Sequence, residues 1–239
     1  MTFPSLKVAG VMAVAAAIAM AGVSTAAAAP GKAPHAAAPF AAQVKAAGLN
    51  TAQSAELQKR VDQIVHQYAG AKQVAANEIA LPHGDSVLLP LPGQTYARVL
   101  PGAVNLGFAP ATTGTTRLAA ATVSPADTGS LGDVGVPFTW FKNGNPADGP
   151  GASCSYYYLC MWQGQWGAGE QFNVSTCNED QELPGSGWNT YGSWVNNQTP
   201  GTQAFLLNSS RSVIYTVPAL TYNSDYNWAP VWYADACNH

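Results

Sequence analysis

Four histidines, a run of acids and four cysteines are the residues of this 239-residue chain whose types could support chemistry. The histidines are His35, His66, His83 and His239. Three precede Gly84 and the fourth is the last residue, so no Ser-His-acid constellation can be assembled in the C-terminal third. HExxH and GxSxG are absent, and no Gly-rich loop opens a helix to cradle phosphate. Glu179, Asp180 and Glu182 stand together just before Pro184-Gly185. A glycosidase works with two carboxylates flanking the sugar bond; acids this close beside a turn read instead as a solvated loop. The expectation is a protein that is not an enzyme, with no catalytic residue and no cofactor.

Cys154, Cys160, Cys177 and Cys237 all fall in the last third. An even number of cysteines in an exported chain reads as a disulfide framework. The paired C-x2-C knuckles of a zinc ribbon are missing, so no metal site is expected. The same stretch carries eight of the ten tyrosines and six of the seven tryptophans. Such rings fill a small core, since each buries a large area, but a surface row of them can also stack on sugars. Trp162, Trp194 and Trp232 lie in strand-like runs and are expected to face inward. Trp166, Trp188 and Trp228 lie in Gly- or Asn-flanked turns and are the candidates for exposure, and so for contact with a glycan or cell wall. From Gly151 onward Arg211 is the single base against Glu170, Glu179, Asp180, Glu182, Asp225 and Asp235. A nucleic-acid partner is excluded, because it needs a basic stripe to release counterions. A lone cation in an acidic region makes Arg211 a candidate binding contact.

These residues must be positioned by the elements around them. Lys7, the apolar run Val8 to Val23 and the small residues Ser24 to Ala29 have the order of a secretory signal peptide, assigned to residues 1–28. The run is shorter than the roughly 20 apolar residues a spanning helix needs. The expected protein is therefore secreted and extracellular, with no membrane partner. Residues 29–49, rich in Ala and Pro, read as a disordered leader. From 50 to 100 a small αββ unit is predicted. Asn50 and Gln53 have capping-box spacing, and Leu57, Val61, Ile64, Val65 and Tyr68 form one apolar helical stripe that Gly70 ends. Strands Gln73–Ala80 and Ser86–Leu89 follow, joined through His83-Gly84-Asp85. Residues 101–150 have the composition of a linker.

From 151 to 239 strand-like segments recur: Tyr156–Trp162, Glu170–Val174, Ser193–Asn196, Gln203–Leu207, Ser212–Val217 and Pro230–Tyr233, with Gly- and Asn-rich turns between them. That spacing means an all-β sandwich or barrel. Because its aromatic core and all four cysteines lie within it, this span is expected to fold alone when oxidised.

The run Ser153-Cys154-Ser155-Tyr156-Tyr157-Tyr158-Leu159-Cys160-Met161-Trp162 resembles the opening of the secreted bacterial metalloproteinase-inhibitor family. Ser193-Trp194-Val195-Asn196-Asn197 is similar to a later strand of that family. Ala75-Ala76-Asn77-Glu78-Ile79 with Leu91-Pro92-Gly93 looks like the leader carried by its members. The resemblance implies a βγ-crystallin-like Greek-key sandwich behind the αββ leader. It also implies a disulfide Cys154–Cys160, which leaves Cys177 for Cys237. Two departures stand out. The second small disulfide loop, which carries the reactive bond in inhibitory members, is missing. The calcium signature is reduced to Asn189 and Ser193 in Asn189-Thr190-Tyr191-Gly192-Ser193-Trp194, too few hard oxygen ligands for a cation.

The expected function is that of a monomeric, secreted, peptidase-inhibitor-like protein. It would bind an extracellular protease through a rigid disulfide-braced loop, with Gln163–Gly169, Gln198–Gln203 and Asn208–Arg211 as the candidate loops. The alternative is a polysaccharide or cell-wall binding β module using Trp166, Trp188 and Trp228.

Overall fold

Asn50 opens the long helix of the protein, here described from a computed structural model over residues 40–103, 106, 128–130, 138–139 and 153–237. The signal-peptide assignment, residues 1–28, lies outside the described residues, as does most of 107–152. Helix α2, Thr51–Gln67, has the predicted capping box: Asn50 Oδ1 accepts the Gln53 N–H at 2.9 Å and Gln53 Oε1 accepts the Asn50 N–H at 3.0 Å. Two of the N–H groups left free at a helix start are satisfied in this way. Leu57, Val61 and Ile64 are its buried stripe. The chain turns out of the helix through Gly70 at φ +88°, a conformation that costs glycine nothing.

The disordered leader meets a correction at its end. Ala41–Ala46 is a short helix, α1, and Phe40, Val44, Ala47 and Leu49 pack on the core. The apolar residues scattered among the alanines are enough to dock it.

The predicted strand Gln73–Ala80 is two strands, β1 (Lys72–Ala75) and β2 (Glu78–Ala80), folded back at Ala76-Asn77. Buried Asn77 holds the bend, its amide donating to the Leu89 carbonyl at 2.7 Å and the Arg98 carbonyl at 2.9 Å. Strand β3 (Ser86–Leu88) pairs with β2.

In the linker stretch the described residues form β4 (Thr128–Ser130) and β5 (Phe138–Thr139). The remaining strands are β6 (Ser153–Cys154), β7 (Tyr158–Trp162), β8 (Gln171–Val174), β9 (Gln181–Glu182), β10 (Tyr191–Asn197), β11 (Gln203–Leu207), β12 (Val213–Pro218), β13 (Thr221–Asn227) and β14 (Tyr233–Asp235). Strand β13 was not expected from the sequence. The protein is mainly β. An eight-stranded sheet runs β1-β2-β3-β8-β7-β10-β13-β4, and a four-stranded sheet runs β12-β11-β14-β9, with every pairing between these strands antiparallel.

The αββ segment is not set apart from the C-terminal strands. Strand β3 pairs with β8 in the register Ser86↔Asn173, Val87↔Phe172 and Leu88↔Gln171, and all described residues belong to one compact unit, Ala37–His239. One apolar cluster takes Val61 and Ile64 from α2, Ile79 from β2, Met161, Phe172 and Trp194 from the large sheet, and Leu206, Val217 and Ala234 from the small one. On the other face of β7, Cys160 and Trp162 pack with Cys154 and Val195. Among the described residues no helix is long and apolar enough to cross a membrane.

Asp85 and Glu170 are buried where the segments meet, and Glu78 is buried against the start of the linker. Arg60 on α2 reaches Glu170 at 2.6 Å and also donates to the Pro184 carbonyl at 3.2 Å. Burial raises the Glu170 carboxyl, against the opposing pull of the guanidinium. Glu78 on β2 accepts the Leu106 N–H at 2.9 Å through Oε1, while its Oε2 has no donor. Burial pushes the Glu78 carboxyl up to about 7 from an ordinary 4.5.

The folded protein thus holds this proton more tightly than the unfolded chain. The associated stability is complete below the unfolded value and is lost as pH rises through the folded one. The melting temperature is expected to fall between pH 4.5 and about 7, with a shallower fall in Glu78→Gln. Identical slopes for the two proteins would contradict this account.

Candidate functional site: a disulfide-closed tyrosine loop

Both disulfides form as expected, Cys154–Cys160 and Cys177–Cys237, with Cα separations of 5.7 and 4.6 Å. The tryptophans are distributed differently from the sequence expectation. Trp162 and Trp194 are buried, but Trp232 is 52% exposed. Conversely, Trp188 and Trp228, expected at the surface, are core residues, and Trp166 is half-buried against the Cys154–Cys160 and Trp162 cluster.

The reason is long-range. Trp228 Nε1 donates to the Trp162 carbonyl at 2.8 Å, passing over Gly192, where any Cβ would collide with the indole. Trp188 and Tyr226 meet the Trp228 ring edge-on, with centroids 5.4 and 5.0 Å away. A turn flanked by Gly and Asn can fold inward as readily as outward.

Arg211 is exposed, yet it is not the free cation that the composition suggests. Its Nη1 donates to Asp180 Oδ2 at 2.8 Å, and its guanidinium lies 4.2 Å from the centre of the Tyr233 ring. The preceding hairpin is held from within: Asn208 Oδ1 accepts the N–H groups of Ser210 and Ser212, both at 3.0 Å. Of the three loops proposed from sequence, Asn208–Arg211 is therefore rigid, but its charge is already neutralised. Gln163–Gly169 carries the half-buried Trp166 at φ +57° and packs its turn against β10 through the Ser193 hydroxyl, which accepts the Gly167 N–H at 2.9 Å.

The side chains brought together in the open are tyrosines. The Cys154–Cys160 bridge closes a short loop, Ser155-Tyr156-Tyr157-Tyr158-Leu159, ahead of and into β7. The sequence was expected to run straight as a strand from Tyr156. Instead Tyr157 sits at φ +79° and its N–H donates to the Asn197 carbonyl at 2.8 Å, which bends the chain across the end of β10. The Asn197 amide returns the contact by donating to the Cys154 carbonyl at 3.0 Å.

Tyr157 is 63% exposed, the most exposed of the large apolar residues described. The Tyr156 ring lies 4.1 Å from it at an angle of 47°, and the Tyr156 hydroxyl points to Thr199 Oγ1 at 3.5 Å. Thr199 belongs to Gln198–Gln203, the second of the loops proposed from sequence, so one of those loops does border the site.

Tyr158 turns the other way. It is half-buried, its hydroxyl approaches the Gly84 carbonyl at 3.5 Å, and burial raises its pKa. The site holds no nucleophile–base pair, and no group of three metal-ligating side chains occurs among the described residues. What the loop presents outward is the Tyr156–Tyr157 pair, on a covalently closed, hydrogen-bonded backbone. The signal in the sequence was the cysteine spacing itself, because a bridge across five residues forces a bend that an extended strand cannot make.

Compared with protein-family models, with curated proteins and with solved structures, the chain gives no match.

Proposed function

We propose that this is a secreted, peptidase-inhibitor-like protein of βγ-crystallin type that docks its tyrosine loop against an extracellular protease. The observation that carries the reading is Tyr157, 63% exposed at φ +79° inside a disulfide-closed loop. A bulky residue in the left-handed region costs about 1–3 kcal/mol that glycine would not. Its ring packs on Tyr156 and lies mostly in solvent, so folding gains little from keeping it. Tyrosine gives a large, amphipathic contact area with little side-chain entropy to lose, and a braced backbone lowers the ordering cost of binding. The signal-peptide pattern and two disulfides agree with an oxidising compartment.

The test is inhibition of a panel of thermolysin-type metallopeptidases and subtilisin-type serine peptidases at stoichiometric protein. Tyr157→Gly is expected to weaken inhibition at least tenfold while raising the melting temperature, because it removes the contact and relaxes the backbone together. Retention on insoluble chitin, cellulose or peptidoglycan, with no effect on any peptidase, would overturn the reading in favour of a glycan-binding module. Trp232 is the residue that favours that alternative. Its backbone is fixed by bonds to Leu207 and Leu183 at 2.8 and 2.9 Å, and its indole faces outward.

A further inference from the structure

Both backbone polar groups of Leu106 are taken up by side chains rather than by a strand or a helix. Its N–H donates to Glu78 Oε1 and its carbonyl accepts the Ser86 hydroxyl, each at 2.9 Å. Glu78 on β2 and Ser86 on β3 share one face of the large sheet, because Glu78 is paired with Leu88, two positions along from Ser86. The Leu106 side chain packs with Val99 on the small cluster of Leu88 and Ala97. The stretch before it is fixed at several points. The Gly169 N–H donates to the Thr95 carbonyl at 2.7 Å, Ala97 pairs with Pro90, and the Asn77 amide holds the Arg98 carbonyl at 2.9 Å. Leu106 is the clasp at the far end of this strap.

Glu78 has no exposed surface, and its Oε2 has no donor among the described residues. The groups that face it carry no charge. Ala75 on β1 and Leu88 on β3 are its cross-strand partners, Ser86 is the next residue on that face of β3, and the row continues with Gln171 on β8. Arg98, the cation of the strap, directs its Nε to Gln94 Oε1 at 3.1 Å, and Lys72 is exposed at the other end of β1, opposite Ala80. A buried carboxyl with one unsatisfied oxygen and no cation beside it is held in its neutral form.

We propose that Glu78 is the catch of a pH-operated latch: protonated, it holds the strap against the sheet at Leu106, and ionised, it lets the strap lift. The strap is the part that gives. Strand β2 is paired on both sides, with β1 and β3, whereas Leu106 is held by two side-chain hydrogen bonds and a small apolar contact. An ionised Glu78 needs water at Oε2, and lifting Leu106 admits it without unpairing a strand. In the closed form the carboxyl keeps its proton up to about 7, and in the open form it titrates at its ordinary 4.5. Closure is therefore fully favoured below 4.5. Opening grows about tenfold per pH unit from there to about 7, and then levels off. The open form also uncovers Leu88 and Ala97, on which Leu106 packs. The latch does not depend on which partner the tyrosine loop meets.

Amide hydrogen exchange of the intact, oxidised chain, followed residue by residue by NMR, tests this. With the intrinsic pH dependence of exchange removed, the protection factor of the Leu106 N–H is expected to fall about a hundredfold or more between pH 4.5 and about 7, and then to hold level. The amides of β7 and β10, which open only with the whole fold, should stay better protected throughout. In Glu78→Gln, whose side-chain carbonyl can still accept the Leu106 N–H, the protection factor should not change with pH. Ser86→Ala removes the bond to the Leu106 carbonyl, and it should lower protection at every pH while keeping the slope. A Leu106 protection factor that is flat in the wild type, or that has the same slope in Glu78→Gln, overturns the proposal. So does a Leu106 amide that exchanges only in step with β7 and β10, since Glu78 would then act on the whole fold and not on a latch. Should Glu78→Gln not fold, the wild-type slope and the Ser86→Ala offset carry the test, and protection in Ser86→Ala equal to that of the wild type would show that Leu106 is not held at this clasp.

Discussion

A fragment beginning at Gly151, oxidised and carrying both disulfides, is expected to remain unfolded, although its composition suggests an independent domain. Three losses act together. Without residues 37–103 strand β8 loses β3, leaving Phe172 and Val174 on an unpaired edge of the large sheet. Val61, Ile64, Ile79 and Val87, each fully buried in the shared apolar cluster, are removed from the core, at roughly 1.5–3 kcal/mol per side chain. Glu170 loses Arg60, its guanidinium partner across the seam. Against a typical total of about 5–15 kcal/mol these losses leave no margin, and the two disulfides, already present in the intact protein, offset none of them. Near-ultraviolet circular dichroism and thermal melting of 151–239 beside 37–239 would decide it. A cooperative transition in the short fragment would show that the seam with α2 and β3 is dispensable. Partial recovery on adding residues 37–103 as a separate polypeptide would show that the seam suffices without a covalent link.

What the sequence made legible was local. Asn50 and Gln53 cap α2 because a capping box depends only on residues three apart, and the stripe Leu57, Val61 and Ile64 follows from one helical period. Strands β7, β8, β11 and β12 were visible as apolar runs between turns. Strand β13, Thr-Tyr-Asn-Ser-Asp-Tyr-Asn, was not, since Asn and Asp are poor strand formers. It forms because β10 supplies a partner along its whole length. The pairing of β3 with β8 joins segments on either side of the linker, and no periodicity reports a contact of that kind. The tyrosine loop was half legible: its cysteines were recognised, but its three aromatics were read as the start of a strand. His83 was set aside when no catalytic triad could be built around it.

Trp228 shows how far the same local reasoning can mislead, and it gives the second large effect. If Trp228 were an exposed stacking residue, Trp228→Ala would leave the fold intact and release the protein from a polysaccharide. The structure predicts loss of the fold instead. Its side chain has no exposed surface, and its indole N–H is satisfied by the Trp162 carbonyl. Removing a buried Trp costs about 3–5 kcal/mol in lost transfer energy and residual cavity. The edge-on contacts with Trp188 and Tyr226 add about 0.5–1.5 kcal/mol each. Gly192 closes the obvious route to relaxation, because its backbone is what the indole lies against, and a neighbouring side chain cannot grow there to refill the space. Trp232→Ala is the control. Its ring is half in solvent, so its stability change should stay within about 0.5 kcal/mol, the usual range for surface substitutions. Urea denaturation of the two variants separates the cases: the midpoint for Trp228→Ala should fall by several times the shift seen for Trp232→Ala. Equal, small shifts would mean that position 228 can open to solvent, and the surface role inferred from its flanking asparagine would then return.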